Sequence, residues 1–307
     1  MHVISASRRT DIPAFHSDWL MARAREGYAR VISPFGGRQL RVSLAPDDVI
    51  AIVFWTKNAA PLLPGLDELT RMGHCFTFLY TINNYPRWLE PAVPDESRTL
   101  KTVEIMTERY YPHIFRWRYD TIVLTDTLDH RWHVSNFQRL CRMLAPFTSE
   151  CIFSFCDYYR KTIRNMDLRV PNYRLPEQGE CKELAENMAE VAQEWGITLA
   201  SCAHDFLVSD RIVKAHCIDP AFLRGVVDTE ARLTALDHLK TAPTRPDCGC
   251  AASKDIGAYD TCAHGCAYCY ANSDPVRARR NLERISSMDD CLHPRAHGSS
   301  SEEPCEP

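Results

Sequence analysis

Three cysteines near the end of the chain carry the clearest chemistry. Cys262, Cys266 and Cys269 form a C-x3-C-x2-C run inside DCGCAASKDIGAYDTCAHGCAYCYAN (residues 247–272). Three thiolates on one tight loop can hold three corners of a [4Fe–4S] cube. The fourth iron then has no protein ligand from that loop and stays open to an external one. The nearest upstream thiol, Cys250, is too loosely spaced to assign as that ligand. Zinc is the competing reading. It takes four ligands, usually from paired knuckles, and could recruit Cys250 or His264 beside the triplet. The lone third cysteine and the aromatic Tyr268 before Cys269 fit the cluster better.

A second set of thiols lies outside the triplet. Cys248 and Cys250 form a C-x-C pair, and Cys202 and Cys217 close the last two predicted strands. These four are candidates for a second metal centre, read as an auxiliary iron–sulfur cluster. The alternative for Cys202 and Cys217 is that they are ordinary buried thiols. Cys75, Cys141, Cys151 and Cys156 read as core, Cys181 as an exposed helix residue, and Cys291 and Cys305 as tail.

Polar residues collect where predicted strands end. Arg8, Arg9 and Asp11 follow the first strand and Lys57 follows the next. Asn83 and Asn84, Arg118 and Asp120, Asp157 and Lys161, and His204 and Asp205 follow later ones. Adjacent guanidiniums such as Arg8 and Arg9 suit carboxylate or phosphate. In a parallel barrel these ends would ring one mouth, where such folds place their chemistry. Lys57, Arg118, Asp120, Asp157 and His204 are therefore catalytic candidates.

The elements that must position them alternate in type. Apolar β-branched runs, such as VIAIVFWT (49–56), read as strands buried on both faces. Segments with apolar residues at helical spacing follow them, for example Val134, Phe137, Leu140, Cys141 and Leu144. Repeated strand–helix units imply a parallel sheet. No G-x-G-x-x-G follows the first strand, which argues against dinucleotide binding. The expected fold is a partial or complete (β/α) TIM-like barrel of six to seven parallel strands, with residues 1–240 as barrel. Residues 28–44 read as a hairpin turning at Gly36-Gly37. Residues 241–290 read as a cluster-binding segment with a basic helix within 273–288, and 291–307 as a disordered tail.

Composition bounds the rest. The chain has 307 residues, 14 of them cysteine, with 45% hydrophobic and 25% charged residues and a net charge of −4. There is no run long enough to span a membrane, and Met1 to Arg9 lacks the apolar core of a signal peptide. A cytoplasmic location follows as an expectation. Dense cysteine there points to metal or redox chemistry rather than disulfides. The net charge gives no overall field for nucleic acid.

The triplet with its aromatic spacer resembles the signature of the radical S-adenosylmethionine (SAM) enzymes. The whole chain to about residue 290 resembles the DUF1848 family, an uncharacterised bacterial family with this motif at its C-terminus. The matching pieces are SASRRTDIPAF (5–15), FWTKN (54–58), FRWRYD (115–120), SFCDYYRK (154–161), SCAHD (201–205), and CGC through YCYAN. The resemblance implies a [4Fe–4S] cluster and SAM as cofactors, with a flavodoxin- or ferredoxin-type reducing partner. It implies reductive cleavage of SAM to a 5′-deoxyadenosyl radical that removes hydrogen from a small-molecule substrate. Radical SAM enzymes usually carry the triplet after the first barrel strand, whereas here it lies near the end. The two arrangements agree if the chain is effectively permuted, so that the loop meets Arg8, Arg9 and Asp11. Those residues and Tyr268 are then candidates for cofactor contacts. Two alternatives remain open: a zinc-stabilised barrel acting on a phosphorylated or carboxylated molecule, and a nucleic-acid repair factor using the basic helix.

Overall fold

The protein is described by a computed structural model covering residues 1–293, other than 35, 111–113, 171, 244 and 246. Strand β1 (His2–Ala6) leads into a hairpin of β2 (Tyr28–Ile32) and β3 (Gln39–Ser43). Then come β4 (Val49–Thr56), β5 (Phe76–Thr81), β6 (Phe115–Ile122) and the short β7 (Leu124–Thr125). Strands β8 (Glu150–Phe155), β9 (Tyr173–Arg174), β10 (Thr198–Ser201), β11 (Ile212–Lys214) and β12 (Ser253–Asp255) follow.

Eight of these form one sheet in the order β11-β10-β8-β6-β5-β4-β1-β12, and every pairing in it is parallel. The architecture is α/β, a large parallel sheet flanked by helices. The strand count corrects the expected six to seven. The added strand is β12, whose three residues Ser-Lys-Asp carry no apolar run for a sequence pattern to detect. It pairs with β1 from the far end of the chain.

From β1 to β11 the chain steps always to the next neighbour in one direction. Right-handed crossovers taken in a single direction put their helices on one face of a sheet. The packing agrees. Ile4, Phe54, Phe78, Trp117 and Phe153 share a buried cluster with the helical residues Trp19, Leu66, Val103, Phe137 and Leu184. Their strand neighbours point the other way. Val3, Val53, Leu79, Ile152 and Ala200 pack instead against Ile218, Cys202, Cys217 and Cys250 and against Leu223 and Leu236, on the helices Pro220–Leu223 and Glu230–Asp237 that follow β11. β4 and β5 are buried along their length, as the apolar runs implied.

Several boundaries shift. After β1 the chain forms two helices, Ile12–Phe15 and Ser17–Glu26, broken at His16. The basic helix is shorter, Pro275–Glu283. Helix Arg160–Arg169 is additional, because its surface-rich sequence masks the buried Thr162, Asn165 and Met166. Cys181 is buried rather than exposed, at 4% accessibility in helix Gln178–Glu194. It lies one turn before Leu184 and Ala185 and shares their core-facing side. The start of the expected tail is also corrected. Leu292 is buried in the main core, and the Asp290 carbonyl accepts from Arg30 N at 2.7 Å. The remainder, 294–307 with Cys305, lies outside the described residues. No described helix is long and apolar enough to cross a membrane.

Two predictions follow from this packing. A Cβ on Gly257 would lie 2.0 Å from Ser7 Oγ and 2.5 Å from Ser7 Cβ, whereas one on Gly179 would meet nothing within 4 Å. Gly257→Ala is expected to destabilise the fold by about 1–3 kcal/mol, with Gly179→Ala near neutral. Urea unfolding of the two variants checks this. Equal midpoints would refute it.

The second concerns pH. Burial pushes His16, His74 and His133 down to about 4 each. The folded chain therefore refuses protons that the unfolded chain takes up near the ordinary histidine value of about 6.5. Stability should fall as pH drops from about 6.5 toward 4, because the unfolded state binds more protons there. Unfolding free energies at pH 7 and pH 5 measure the slope, and His74→Gln should reduce it. A flat profile would contradict the assignment.

Candidate metal and cofactor site

The triplet loop leaves the sheet from the end of β12, beside the end of β1. Asp255, the last residue of β12, forms the junction. Its carboxylate accepts from Ser5 Oγ at 2.9 Å, Ser7 Oγ at 2.6 Å, Arg8 N at 2.8 Å, Arg9 Nε at 3.0 Å and Gly257 N at 3.0 Å. Burial alone would raise this carboxyl, but Arg9 and the hydrogen bonds bring it below its usual range. Ile256 N then donates to Ser5 O at 3.1 Å, extending the pairing.

Beyond this junction the loop is held from several sides. Asn272 Nδ2 donates to Cys262 O at 2.7 Å, and Arg169 Nη2 donates to Gly265 O at 2.6 Å. Gly265 sits at φ +72, a conformation suited to glycine. Ala267 N donates to Leu89 O at 2.9 Å, and Ala92 N to His264 O at 3.1 Å. His16 Nε2 lies 3.1 Å from Thr261 O. Asn281 Nδ2, on helix Pro275–Glu283, donates to Asp260 O at 2.9 Å.

Asp11 and His264 link the loop to the first strand. Asp11 Oδ1 accepts from Ala14 N at 3.0 Å, capping the helix, and from Thr56 Oγ1 at 2.7 Å. Its Oδ2 accepts from Lys57 N and from His264 Nε2, both at 2.7 Å. The other imidazole nitrogen, Nδ1, lies 3.3 Å from Ala92 O. Both nitrogens of His264 therefore have partners within the protein.

A buried ion pair lies beside the triplet. Lys57 Nζ stands 2.8 Å from Glu90 Oε1, with side-chain exposures of 15% and 2%. The same oxygen accepts from Asn83 Nδ2 at 3.2 Å and from the Tyr268 hydroxyl. Burial alone would push Glu90 up, but Lys57 and these donors hold it below its usual value. Burial likewise opposes the charge on Lys57. Glu90, Cys266 and Asp120 outweigh it and raise the ammonium. Burial is also the largest influence on the thiols of Cys262, Cys266 and Cys269 and raises all three. Lys57 works against it at Cys266 and Cys269. A ligand thiol must lose its proton to bind metal, and Lys57 is the cation placed to favour that.

The other strand-end residues gather around the second cysteine set. Cys202 Sγ and Cys217 Sγ are 3.4 Å apart. The Cys202 and Cys250 thiols lower the pKa of Cys217, and Cys217 and Cys248 raise that of Cys250. Arg118 pairs with Asp120, which also accepts from Ser154 Oγ. Arg245 pairs with Asp157 and lies 3.8 Å from Cys202 Sγ. His204 Nε2 is 3.9 Å from Asp157, and burial lowers its pKa. The guanidiniums of Arg8 and Arg118 lie 4.9 and 5.0 Å from the Trp55 ring.

All the strand-end candidates thus reach one end of the sheet, divided between two centres. Asp11, Lys57 and Tyr268 attend the triplet. Arg118, Asp120, Asp157 and His204 attend the other cysteines, and Arg8 touches both. Its carbonyl accepts from Tyr270 OH at 2.6 Å, while its guanidinium faces Trp55. Arg9 is held in the Asp255 junction. Among the described residues, no three or more His, Cys, Asp or Glu side chains stand as a group that could hold a metal ion as placed. A cube holds its thiolates farther apart than one ion does, each on its own iron.

Sequence reasoning missed Glu90, Asp255 and Arg245. Glu90 lies between Leu89 and Pro91 in an irregular segment, and the only available signal was a lone acid in apolar surroundings. Asp255 belongs to the undetected strand. Arg245 was one basic residue in a polar stretch.

Glu90→Gln leaves the Lys57 ammonium buried without its anion, a change that costs about 3–5 kcal/mol in such pairs. Adding Lys57→Met should recover part of that loss, with a coupling of about 0.5–3 kcal/mol. A double-mutant cycle by urea unfolding reads this directly, and additive effects would rule out the coupling.

No curated protein and no solved structure shows significant similarity to the chain. A family model described as "Domain of unknown function (DUF1848)" matches residues 3–271. The match spans the sheet from β1 to β12 and the whole triplet, so the chain belongs to the DUF1848 family.

Proposed function

We propose that this protein is a radical SAM-type iron–sulfur enzyme. The observation that carries the reading is the placement of the triplet. In space the strands run β12, β1, β4, β5, β6, β8, β10, β11, so the loop bearing Cys262, Cys266 and Cys269 follows the first strand of that series. The motif has the position expected of a permuted radical SAM chain, although it lies late in the sequence. The donor set supports an open iron. His264 has both nitrogens engaged, and Cys250 is engaged with Cys217 and Cys248. Neither stands free to complete a fourth position on the triplet.

We also read the sheet as the wall of a barrel. Crossovers in one direction, with the helices between β1 and β11 on one face, and an Ala251 N to Ile218 O hydrogen bond of 3.0 Å support this. That bond joins the approach to β12 with the chain just beyond β11.

Three thiolates would hold the cluster, which when bound with SAM supplies one electron to the sulfonium and so a 5′-deoxyadenosyl radical that takes a substrate hydrogen. The chain's own residues prepare that site. Lys57 offsets thiolate charge and is kept charged by Glu90. Asp11 and Arg9 are positioning residues, fixing the loop against β1 through His264 and Asp255. Tyr268, between two ligands, orients the loop by donating to Glu90. Buried surroundings exclude water from reactive species. Arg8, Arg118, Asp120, Asp157 and His204 are the groups available to a small polar substrate. A flavodoxin or ferredoxin would supply electrons, in a cytoplasmic setting.

The test is spectroscopic and needs no substrate. The anaerobically reconstituted, reduced protein should show an iron–sulfur electron paramagnetic resonance signal that changes when SAM is added. It should release 5′-deoxyadenosine on turnover. Cys266→Ala should lose the iron, the SAM response and the product together. An iron-loaded, reduced protein whose signal ignores SAM would overturn the reading, as would equal product from Cys266→Ala. Zinc bound at the triplet in place of iron would favour the zinc-stabilised alternative.

A further inference from the structure

We propose that Cys202, Cys217, Cys248 and Cys250 form a tetrathiolate site for a single zinc ion, and that this ion staples the two edges of the parallel sheet together. The site is independent of the triplet and of any SAM chemistry.

The four thiols come from opposite edges. Cys202 and Cys217 lie just past β10 and β11, which close the sheet on one side. Cys248 and Cys250 lie just before β12, which closes it on the other. The thiols nonetheless approach one another. Cys202 and Cys217 are 3.4 Å apart, Cys250 acts on the Cys217 thiol and Cys248 on that of Cys250, although as placed the four do not yet surround one ion. Cys202, Cys217 and Cys250 are 4%, 6% and 3% exposed.

The spacing fits a single tetrahedral ion. A tetrahedral zinc with Zn–S bonds of about 2.3 Å holds its sulfurs roughly 3.8 Å apart. The Cys202–Cys217 pair needs only a small widening to reach that separation. Cys217 has Cys202 at 3.4 Å and is acted on by Cys250, two of the three sulfur neighbours that each ligand of a tetrahedral ion has. A [4Fe–4S] cube, with each thiolate on a separate iron, holds its sulfurs farther apart, and a [2Fe–2S] centre, with two thiolates on each iron, is the iron alternative that metal analysis distinguishes. Binding would draw Cys248 and Cys250 toward the Cys202–Cys217 pair and around a common centre.

Charge and packing agree. Four thiolates around Zn²⁺ carry a net charge of −2 and need nearby cations. Arg245 Nη2 already lies 3.8 Å from Cys202 Sγ. The guanidiniums of Arg118 and Arg8 act electrostatically on Cys217. Each retains a buried nitrogen without a partner, Arg118 Nε and Arg8 Nη2. Gly249 explains the middle of the C-x-C pair. A Cβ there would lie 2.1 Å from the His216 ring, so only glycine lets the two cysteines turn toward Cys217.

Metal analysis of the full-length protein, purified anaerobically, tests the proposal. One zinc per chain is expected. Cys266→Ala should lose iron and keep zinc, whereas Cys250→Ala and Cys202→Ala should lose zinc and keep the triplet's iron. This separates failure of the staple from failure of the radical SAM reading. Because a zinc-free variant may unfold, the wild-type chain is also loaded with Co²⁺. It should develop the intense visible bands of tetrahedral cobalt thiolate. Limited proteolysis should cut near residues 241–252 faster once zinc is stripped. Three outcomes would overturn the proposal: no zinc and no cobalt spectrum, iron in excess of the triplet's cluster that disappears in Cys250→Ala, or a Cys202–Cys217 disulfide in the purified chain.

Discussion

The parallel pairing of β1 with β12 is the contact on which the rest of the structure depends. Its ladder is only three residues long, Val3 to Ser5 against Ser253 to Asp255, too short to hold two distant segments by backbone bonds alone. Asp255 supplies what the ladder lacks. One carboxylate accepts from two serines, Arg9 and two backbone amides, so removing it would leave five donors in or near the interior without an acceptor. The entropy of joining segments so far apart grows only slowly with loop length, about 0.6 kcal/mol per doubling. A dense local network is therefore enough to fix a long-range connection.

That connection has consequences on both sides. Toward the end of the sheet it brings the triplet loop against Asp11, Lys57 and Glu90. Away from it, the approach to β12 runs beside the chain just beyond β11, where Ala251 N donates to Ile218 O at 3.0 Å. The same three-residue strand thus sets the position of both cysteine groups. Arg8 lies between them, its carbonyl on Tyr270 and its guanidinium on Trp55.

The electrostatics around the triplet set burial against one nearby cation. Burial raises each of its thiols, and the nearest cation, Lys57, is itself buried and charged only because Glu90 stands beside it. Buried ion pairs are weak evidence of added stability. Here the pair is better explained by position, since it places a fixed positive charge beside Cys266 and takes its remaining donors from Asn83 and Tyr268. Asp11 plays the mechanical counterpart. It joins a helix cap, the end of β4 and the imidazole of His264 in a single group, so the loop and the first two strands move together.

Much of this was legible in the residues. Period and β-branched runs revealed seven of the eight sheet strands, because strands buried on both faces must be continuously apolar. The C-x3-C-x2-C spacing singled out Cys262, Cys266 and Cys269 for the same local reason. Covalent proximity alone holds them on one loop. The sequence also marked Cys202, Cys217, Cys248 and Cys250, and the polar strand ends. It could not show which of these meet, since that depends on β12, a polar tripeptide whose strand character comes entirely from its partner. Glu90, Asp255 and Arg245 were invisible for a related reason. A charged residue in a loop reads as solvated until tertiary packing buries it beside a specific opposite charge. The sequence by itself thus determined the candidate residues and the alternating architecture, because both follow from local spacing. Tertiary structure alone decided which strand ends lie near which cysteines and which charges stand beside them, because pairing between chain ends is governed by burial and electrostatics that no local pattern encodes.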